Sequence, residues 1–362
     1  MGNKRIGIIF GGKSGEHEVS LLSAASVIRA IDKKKFDLFY IGITREGRWM
    51  AVPRVFGRDI DGDSDITADI VENGSWEKVG TEFNPGDLKE YIDFALPVMH
   101  GPYCEDGRIQ GLLEMVDIPY GGCGVLASAV AMDKAVSKEI FEKAGLPVCR
   151  WELVTRAQVK DSMDDVAKRV ENSLGYPCFV KPANMGSSVG ISKALDRQQL
   201  REALKKALEY DRRIIVEEFI DCREIETAII GNDVPEAAAV GEILPSAEFY
   251  DYNAKYCDGG ASKLCIPARL SEETTDRIRE MAVKAYSAID GEGYARVDFF
   301  IDKKTDSIYL NEINTIPGFT KYSMFPLLWE AAGVKYHETI ERIIELGYER
   351  YYAKNSRKTV LC

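Results

Sequence analysis

Four side chains near the C-terminal end have the types and spacing of a metal–phosphate site. Within GYARVDFFIDKKTDSIYLNEINTIPGFT (Gly293 to Thr320), two strand-like runs flank a polar turn, Asp302 to Ser307. If the hairpin is symmetric about Thr305, Asp298 lies opposite Glu312 and Arg296 opposite Asn314. Alternation along a strand puts these four on one face and Val297, Phe299, Ile301 and Ile313 on the other. Two carboxylates and an amide oxygen beside an arginine are hard oxygen ligands, which suit Mg²⁺ held partly by substrate phosphates. A solvated ladder of ion pairs would use the same residues. The NTIPG that ends the second strand in a rigid turn favours the metal–phosphate reading.

Cations to meet a polyanion come from elsewhere in the chain. Lys181 follows Phe179 and Val180 on a strand, so its ammonium can project into a cleft. After it comes a Gly/Ser loop, NMGSSVG (184–190), whose backbone N–H groups could fold over phosphates, although such turns are abundant. Lys134 stands in an MDK triplet inside a predicted helix over Ser128 to Gly145. IIVEEF (214–219) carries Glu217 and Glu218 and leads to Arg223 and Glu224, acidic groups better suited to hydroxyls and amines than to phosphate. EFYDYNAKY (248–256) combines tyrosines with Lys255 in a long irregular stretch, a combination that favours function over disorder. His100, in HGPYCEDG after a strand over 94–99, is followed by Glu105 and Asp106 where an α/β sheet places its ligands.

The elements that must position these groups alternate between strand and helix. RIGIIF (5–10), a glycine turn and a helix over about 19–31 make an α/β opening. Gly7 to Ser14 formally matches a P-loop, but Ile8, Ile9 and Phe10 belong inside the strand, so the match is accidental. FDLFYIGIT forms a strand, and residues 54–86 lack a clear period and read as loops or an insertion. Helices are expected near 111–116, 164–174, 271–289 and 335–345, with strands over 151–155 and 178–182 and a frayed tail from Lys354.

The chain has 362 residues, enough for two or three domains at roughly 100–200 residues each. A hydrophobic content of 45% supports sizeable cores, and no segment approaches the ~18 apolar residues of a membrane helix. MGNKRIGIIFGG runs straight into a strand, without the pattern of a signal peptide. A net charge of −11, from 47 basic and 58 acidic residues, argues against general nucleic-acid binding, so an anionic substrate must meet local cations. Eight cysteines without a CxxC pair read as reduced thiols of a cytoplasmic protein, and three dispersed histidines do not suggest zinc.

Taken in order, GGKSGEHEVSL, HGPYCEDGRIQG, MDK, VKPANMGSSVGI, EFYDYNAKY and YARVDFF with NEINTIPGFTKYSMFP resemble the D-alanine–D-alanine ligase family of the ATP-grasp superfamily over nearly the whole chain. The resemblance implies three α/β domains, expected at 1–124, 125–213 and 214–362 with a mobile loop at 246–262, and usually a homodimer. It implies ATP between the central and C-terminal domains, two Mg²⁺ ions with Mn²⁺ as an alternative, and two molecules of D-alanine as substrates. By this resemblance Lys134, Lys181 and Lys255 meet the ATP phosphates, and Glu217 and Glu224 hold adenine or ribose. Ser188, Glu218 and Asn311 join the nucleotide site, and Asp298, Glu312 and Asn314 ligate the metals. Arg296 stabilises the charge that develops during transfer. Glu16 anchors the first substrate's ammonium beside His100, while Gly318, Ser323 and Met324 form the second-substrate subsite. Glu16, Ser187 and Tyr256 resemble a hydrogen-bonded set that ties the loop across the closed site.

The implied reaction phosphorylates the carboxylate of the first D-alanine, and the amine of the second displaces phosphate through a tetrahedral intermediate. Positioning and neutralisation of spread charge are what such chemistry asks of a protein. Relatives that use D-lactate or D-serine tend to carry a non-tyrosine residue at the position of Tyr256, so Tyr256 points to the dipeptide. Cys104 and the pair Asn184 and Met185 depart from the family pattern and bear on loop geometry; a positive φ required at 104 would strain a cysteine. A ligase using D-serine or D-lactate as acceptor and a regulator that has lost catalysis are the competing readings.

Overall fold

The computed structural model describes residues 4–59, 62–186, 189–244 and 263–357. Its three main sheets each follow from a different pattern of burial. Lys4–Gly11, apolar on both faces, pairs in parallel with Phe36–Ile43 on one side and Phe94–Pro97 on the other. Such a strand must be covered twice. His17–Ala30 and Tyr336–Asn355 supply Ala24, Val27, Ile28, Ile340, Ile343 and Ile344 to one core, and Arg108–Met115 supplies Ile109 and Leu113 to the other. Residues 8–10 lie inside this strand, as their apolar run requires, so the apparent P-loop is indeed accidental.

The second sheet, in the order Ser192–Ala194, Cys178–Pro182, Arg213–Glu218, Trp151–Thr155, is antiparallel and covered on one face only. Cys178, Val180, Ile214 and Val216 face the helices Met163–Ser173 and Arg197–Tyr210. Alternation sends Phe179, Lys181 and Glu217 the other way. Arg213–Glu218, expected to open the third unit, instead pairs on both sides within this second sheet.

The third sheet runs Lys263–Cys265, Glu236–Leu244, Cys222–Ile230, Tyr294–Asp302, Ile308–Asn314. Ile225, Ile229, Val297, Phe299, Ile301 and Ile313 turn towards the helix Glu272–Ala288 and the pair Val125–Met132 and Lys134–Lys143. The opposite face is polar at one end. At the other it packs on Met324–Ala331, in the same core as the first sheet.

Several expectations needed correction. The single helix expected over 128–145 is two, because Asp133 leaves helical geometry (φ −88, ψ 101) and caps the second through the N–H groups of Ala135 and Val136. Residues 54–86 are not plain loops: they contain a small hairpin, Phe56–Asp59 with Gly62–Asp65, and the helices Thr67–Glu72 and Trp76–Val79. Trp76 is fully buried, edge-on to Phe10 at 5.3 Å, over a space that only Gly42 leaves open. The last helix continues to Asn355, past the expected end at 345.

Candidate active site

A cavity of about 890 Å³ opens between the polar faces of the second and third sheets and is closed at one end by loops of the first. Its floor is the hairpin. Asp298 pairs with Glu312 and Arg296 with Asn314, the register expected from symmetry, but it is reached through a bulge. Nearer the turn Phe299 faces Leu310, one residue out of step, and the extra residue Asn311 restores the pairing of the functional end. A bulge re-aims side chains, and Asn311 and Glu312 both line the cavity.

Arg296 forms two parallel hydrogen bonds of 2.7 Å to the Asp298 carboxylate, and its Nε lies 2.9 Å from Glu226. Asn314 donates to Asp298 at 3.0 Å. Glu226 escaped the sequence reading, although the alternation Glu224, Ile225, Glu226 already put it on the face that Glu224 occupies. Register opposes it to Asp298. Among the described residues no group of three or more histidine, cysteine, aspartate or glutamate side chains converges on one point. Two carboxylates, Asp298 and Glu312, with amide oxygens beside them fit a hard cation that takes its remaining ligands from phosphate.

The cations face this floor. Lys134 begins its helix directly after Asp133, which also pairs with Arg213 of the second sheet. The Lys134 ammonium donates to the carbonyl of Met185 at 2.9 Å and lies 3.4 Å from Glu312. Lys181 lies 2.5 Å from Glu217, whose other oxygen is 3.0 Å from Lys138. Burial alone would raise the Glu217 carboxyl, but the charges of Lys138 and Lys181 outweigh it and hold it at about 2. Glu217 is therefore a clamp between two lysines. Glu218 is also engaged, 2.7 Å from Arg150, while Glu224 lines the cavity. Lys193 stacks over Phe219 at 4.1 Å, and Phe179, Ile191 and Phe300 complete an apolar slot.

At the closed end Glu16 is nearly buried, and its carboxylate lies where a side chain on Gly101 (φ +76) would overlap it. A Cβ on Gly186 would come within 3.1 Å of the same oxygen, so this carboxylate joins the first-sheet loops to the Lys134 region. His100 is held at both ring nitrogens, 2.8 Å from Ser23 Oγ and 3.0 Å from the carbonyl of Ile316. Burial pulls its pKa down, but Glu105 at 3.7 Å more than offsets this and leaves it raised. Gly318 lines the cavity. Ser323 and Met324 do not: the Ser323 hydroxyl accepts from the Thr320 N–H at 3.1 Å, and Met324 packs against Gly241 in the core.

The departures at 104 and 184–185 are absorbed. The left-handed residue of the loop is Tyr103 (φ 72), with Gly101 and Gly107, so Cys104 carries no positive φ and fills a buried space near Gly12. Asn184 and Met185 act through backbone, Asn184 N–H to Asp211 at 2.9 Å and Met185 C=O to Lys134. Ser187, Ser188, Lys255, Tyr256 and the stretch 246–262 lie outside the described residues. The six described cysteines are free thiols. No helix among the described residues is long and apolar enough to cross a membrane.

Comparison with known proteins matches both halves of the chain. Residues 5–123 match the D-ala D-ala ligase N-terminus, and residues 140–345 the D-ala D-ala ligase C-terminus. The D-alanine–D-alanine ligase of Ruminiclostridium cellulolyticum is 51% identical, with 97% of each chain covered. That of Geobacillus thermodenitrificans is 49% identical, also with 97% of each covered. Among solved structures, the VanG D-Ala:D-Ser ligase of Enterococcus faecalis superposes with a TM-score of 0.83 at 36% identity, covering 96% of this chain and 100% of that one. The D-alanine–D-alanine ligase of Coxiella burnetii gives 0.79 at 30% identity, covering 98% and 96%.

Proposed function

From the premise that the chain belongs to the D-ala D-ala ligase family, we propose that it joins two molecules of D-alanine at the expense of ATP, through a D-alanyl phosphate, for peptidoglycan precursor synthesis. The observation that carries the reading is the face-to-face arrangement of Arg296, Asp298, Glu312 and Asn314 with Lys134 and Lys181 across one cavity. Anionic and cationic groups so opposed suit phosphoryl transfer, in which positioning and charge neutralisation do most of the work.

Membership of the family implies use of ATP and a divalent metal. We assign the metal to Asp298, Glu312 and Asn314 and read it as two Mg²⁺ ions, with Mn²⁺ able to substitute. When bound it supplies positive charge to the transferring phosphoryl group. Lys134 and Lys181 orient the phosphates, with Lys255 from the 246–262 stretch as a third cation. Glu224 holds the ribose end, Glu218 and Asn311 line the nucleotide site, and the apolar slot around Phe179 takes the adenine. Arg296 meets the charge that develops on the acyl group. Glu16 receives the first D-alanine's ammonium in a pocket beside His100, and the second enters near Gly318 and the turn at Ser323. Ser187 and Tyr256 act with Glu16 as the set that closes over the site and excludes water from the acyl phosphate, and Ser188 joins the nucleotide site. Three α/β units, a homodimer and a cytoplasmic setting belong to the same proposal.

The likeness to a D-Ala:D-Ser ligase keeps D-serine as a second acceptor, with D-lactate beside it. Product mass and phosphate release with ATP, Mg²⁺ and D-alanine decide, with L-alanine as control and D-serine or D-lactate in competition. Phosphate released in step with D-alanyl-D-alanine is the expected result. A mixed product would keep the mechanism and remove the dipeptide specificity read from Tyr256, and no product would return the regulator reading.

A further inference from the structure

Lys138 has no place in the reaction as described, yet it is among the most buried charges of the molecule, 1% exposed. It follows Lys134 by four residues, one helical turn, so both leave the same face of Lys134–Lys143. Lys134 reaches the cavity, and Lys138 stops behind it against Glu217 at 3.0 Å and the Cys149 thiol at 3.4 Å. Burial pushes that thiol up to about 11, so it stays neutral. Lys138, Glu217 and Lys181 then form a buried triad of two cations and one anion. Only Lys181 borders the cavity among the two cations.

We propose that Lys138 is a positioning residue for nucleotide binding: it neutralises Glu217 so that the charge of Lys181 remains as a surplus for the phosphates. Without Lys138, Lys181 would be the sole counter-ion of a buried carboxylate and would have no net charge to give. A buried carboxylate with one cation keeps it tightly, because leaving it unpaired costs several kcal/mol. Glu217 thereby aims Lys181, and Lys138 frees it. The inference rests on the reading of the cavity as an ATP site.

The test is ATP affinity by calorimetry, with steady-state kinetics, for the full chain and its variants. Nucleotide binding by the unaltered protein is measured first, and its absence would remove the functional reading rather than this inference. Lys138→Met is expected to weaken ATP binding about tenfold, the size of one charge lost behind Lys181 rather than in contact with the phosphates, and to leave KM for D-alanine unchanged. Lys138→Arg keeps a positive charge against Glu217 while changing the shape of the side chain. It is expected to stay within about threefold of the unaltered protein, an outcome that a packing role for Lys138 does not produce. Should Lys138→Met fail to fold, Lys138→Gln takes its place with the same expected loss. Wild-type affinity in the neutral variant, or Lys138→Arg weakened as far as the neutral variant, overturns the proposal.

Discussion

Arg296 is gripped by Asp298 through two of its nitrogens and approached by Glu226. Replacing it with alanine leaves two carboxylates buried without their shared cation and, on the proposed function, removes the donor that meets the charge developing during transfer. A loss of at least about 10²–10³ in kcat is expected for Arg296→Ala. Asp298→Asn is expected to lower turnover as far and to raise the Mg²⁺ concentration needed for half-maximal rate. Phosphate release across a Mg²⁺ titration checks both, and unaffected rates would discredit the site. Glu217 supplies a different readout. Its folded-state pKa of about 2 lies below the ordinary 4.5, so its contribution is present above 4.5 and lost as pH falls towards 2. It is worth on the order of 3 kcal/mol. Unfolding free energy should therefore fall more steeply over that window in the unaltered protein than in Glu217→Gln; parallel slopes would contradict the clamp.

At the scale of elements, the break at Asp133 matters most. One side chain ends a helix, caps the next through two N–H groups at 3.1 Å and reaches Arg213 of the second sheet. The residue after it, Lys134, is thereby fixed over the cavity. Asp133→Ala should cost about 1 kcal/mol in lost capping alone and raise KM for ATP several-fold by loosening Lys134. Thermal melts beside ATP kinetics would separate the two effects. Gly101 sets the other end of the site: at φ +76 and against Glu16 it has room for no side chain. Gly101→Ala should lose about 1–2 kcal/mol of stability and displace the Glu16 carboxylate, seen as a raised KM for D-alanine with KM for ATP unchanged. The helix Met324–Ala331, which the sequence reading did not name, carries Pro326 in its first turn, where a missing N–H costs nothing.

Over the whole molecule, the last helix returns to the first sheet. Ile340, Ile343, Ile344 and Tyr348 enter the core formed with Ile6, Ile8 and Phe94, so the N-terminal third depends on residues more than 200 positions away. Ile343→Ala should cost about 2–5 kcal/mol, and a fragment of residues 1–124 should lack a cooperative thermal transition by circular dichroism. A fragment that melts cooperatively would show the first unit to be self-sufficient. The helix runs through Gly347 because only a residue without a Cβ lets it approach the Phe94 ring and the Tyr120 carbonyl.

The sequence by itself determined the chemistry of the floor. Alternation in a hairpin is local, so Arg296, Asp298, Glu312 and Asn314 share a face wherever that hairpin is packed, and its turn residues bring the strands together. Local pattern likewise marked Lys181 as a candidate, and the resemblance carried by GGKSGEHEVSL and MDK added Glu16 and Lys134. Only the tertiary structure decided what each carboxylate meets. Glu217 is engaged by Lys138 and Lys181, and Glu226 by Arg296, through contacts between segments far apart in the chain. It also assigned strand 213–218 to the second sheet and turned Met324 into the core. Those outcomes depend on which faces are buried against one another, and that is a property of the assembled sheets rather than of any one stretch of residues.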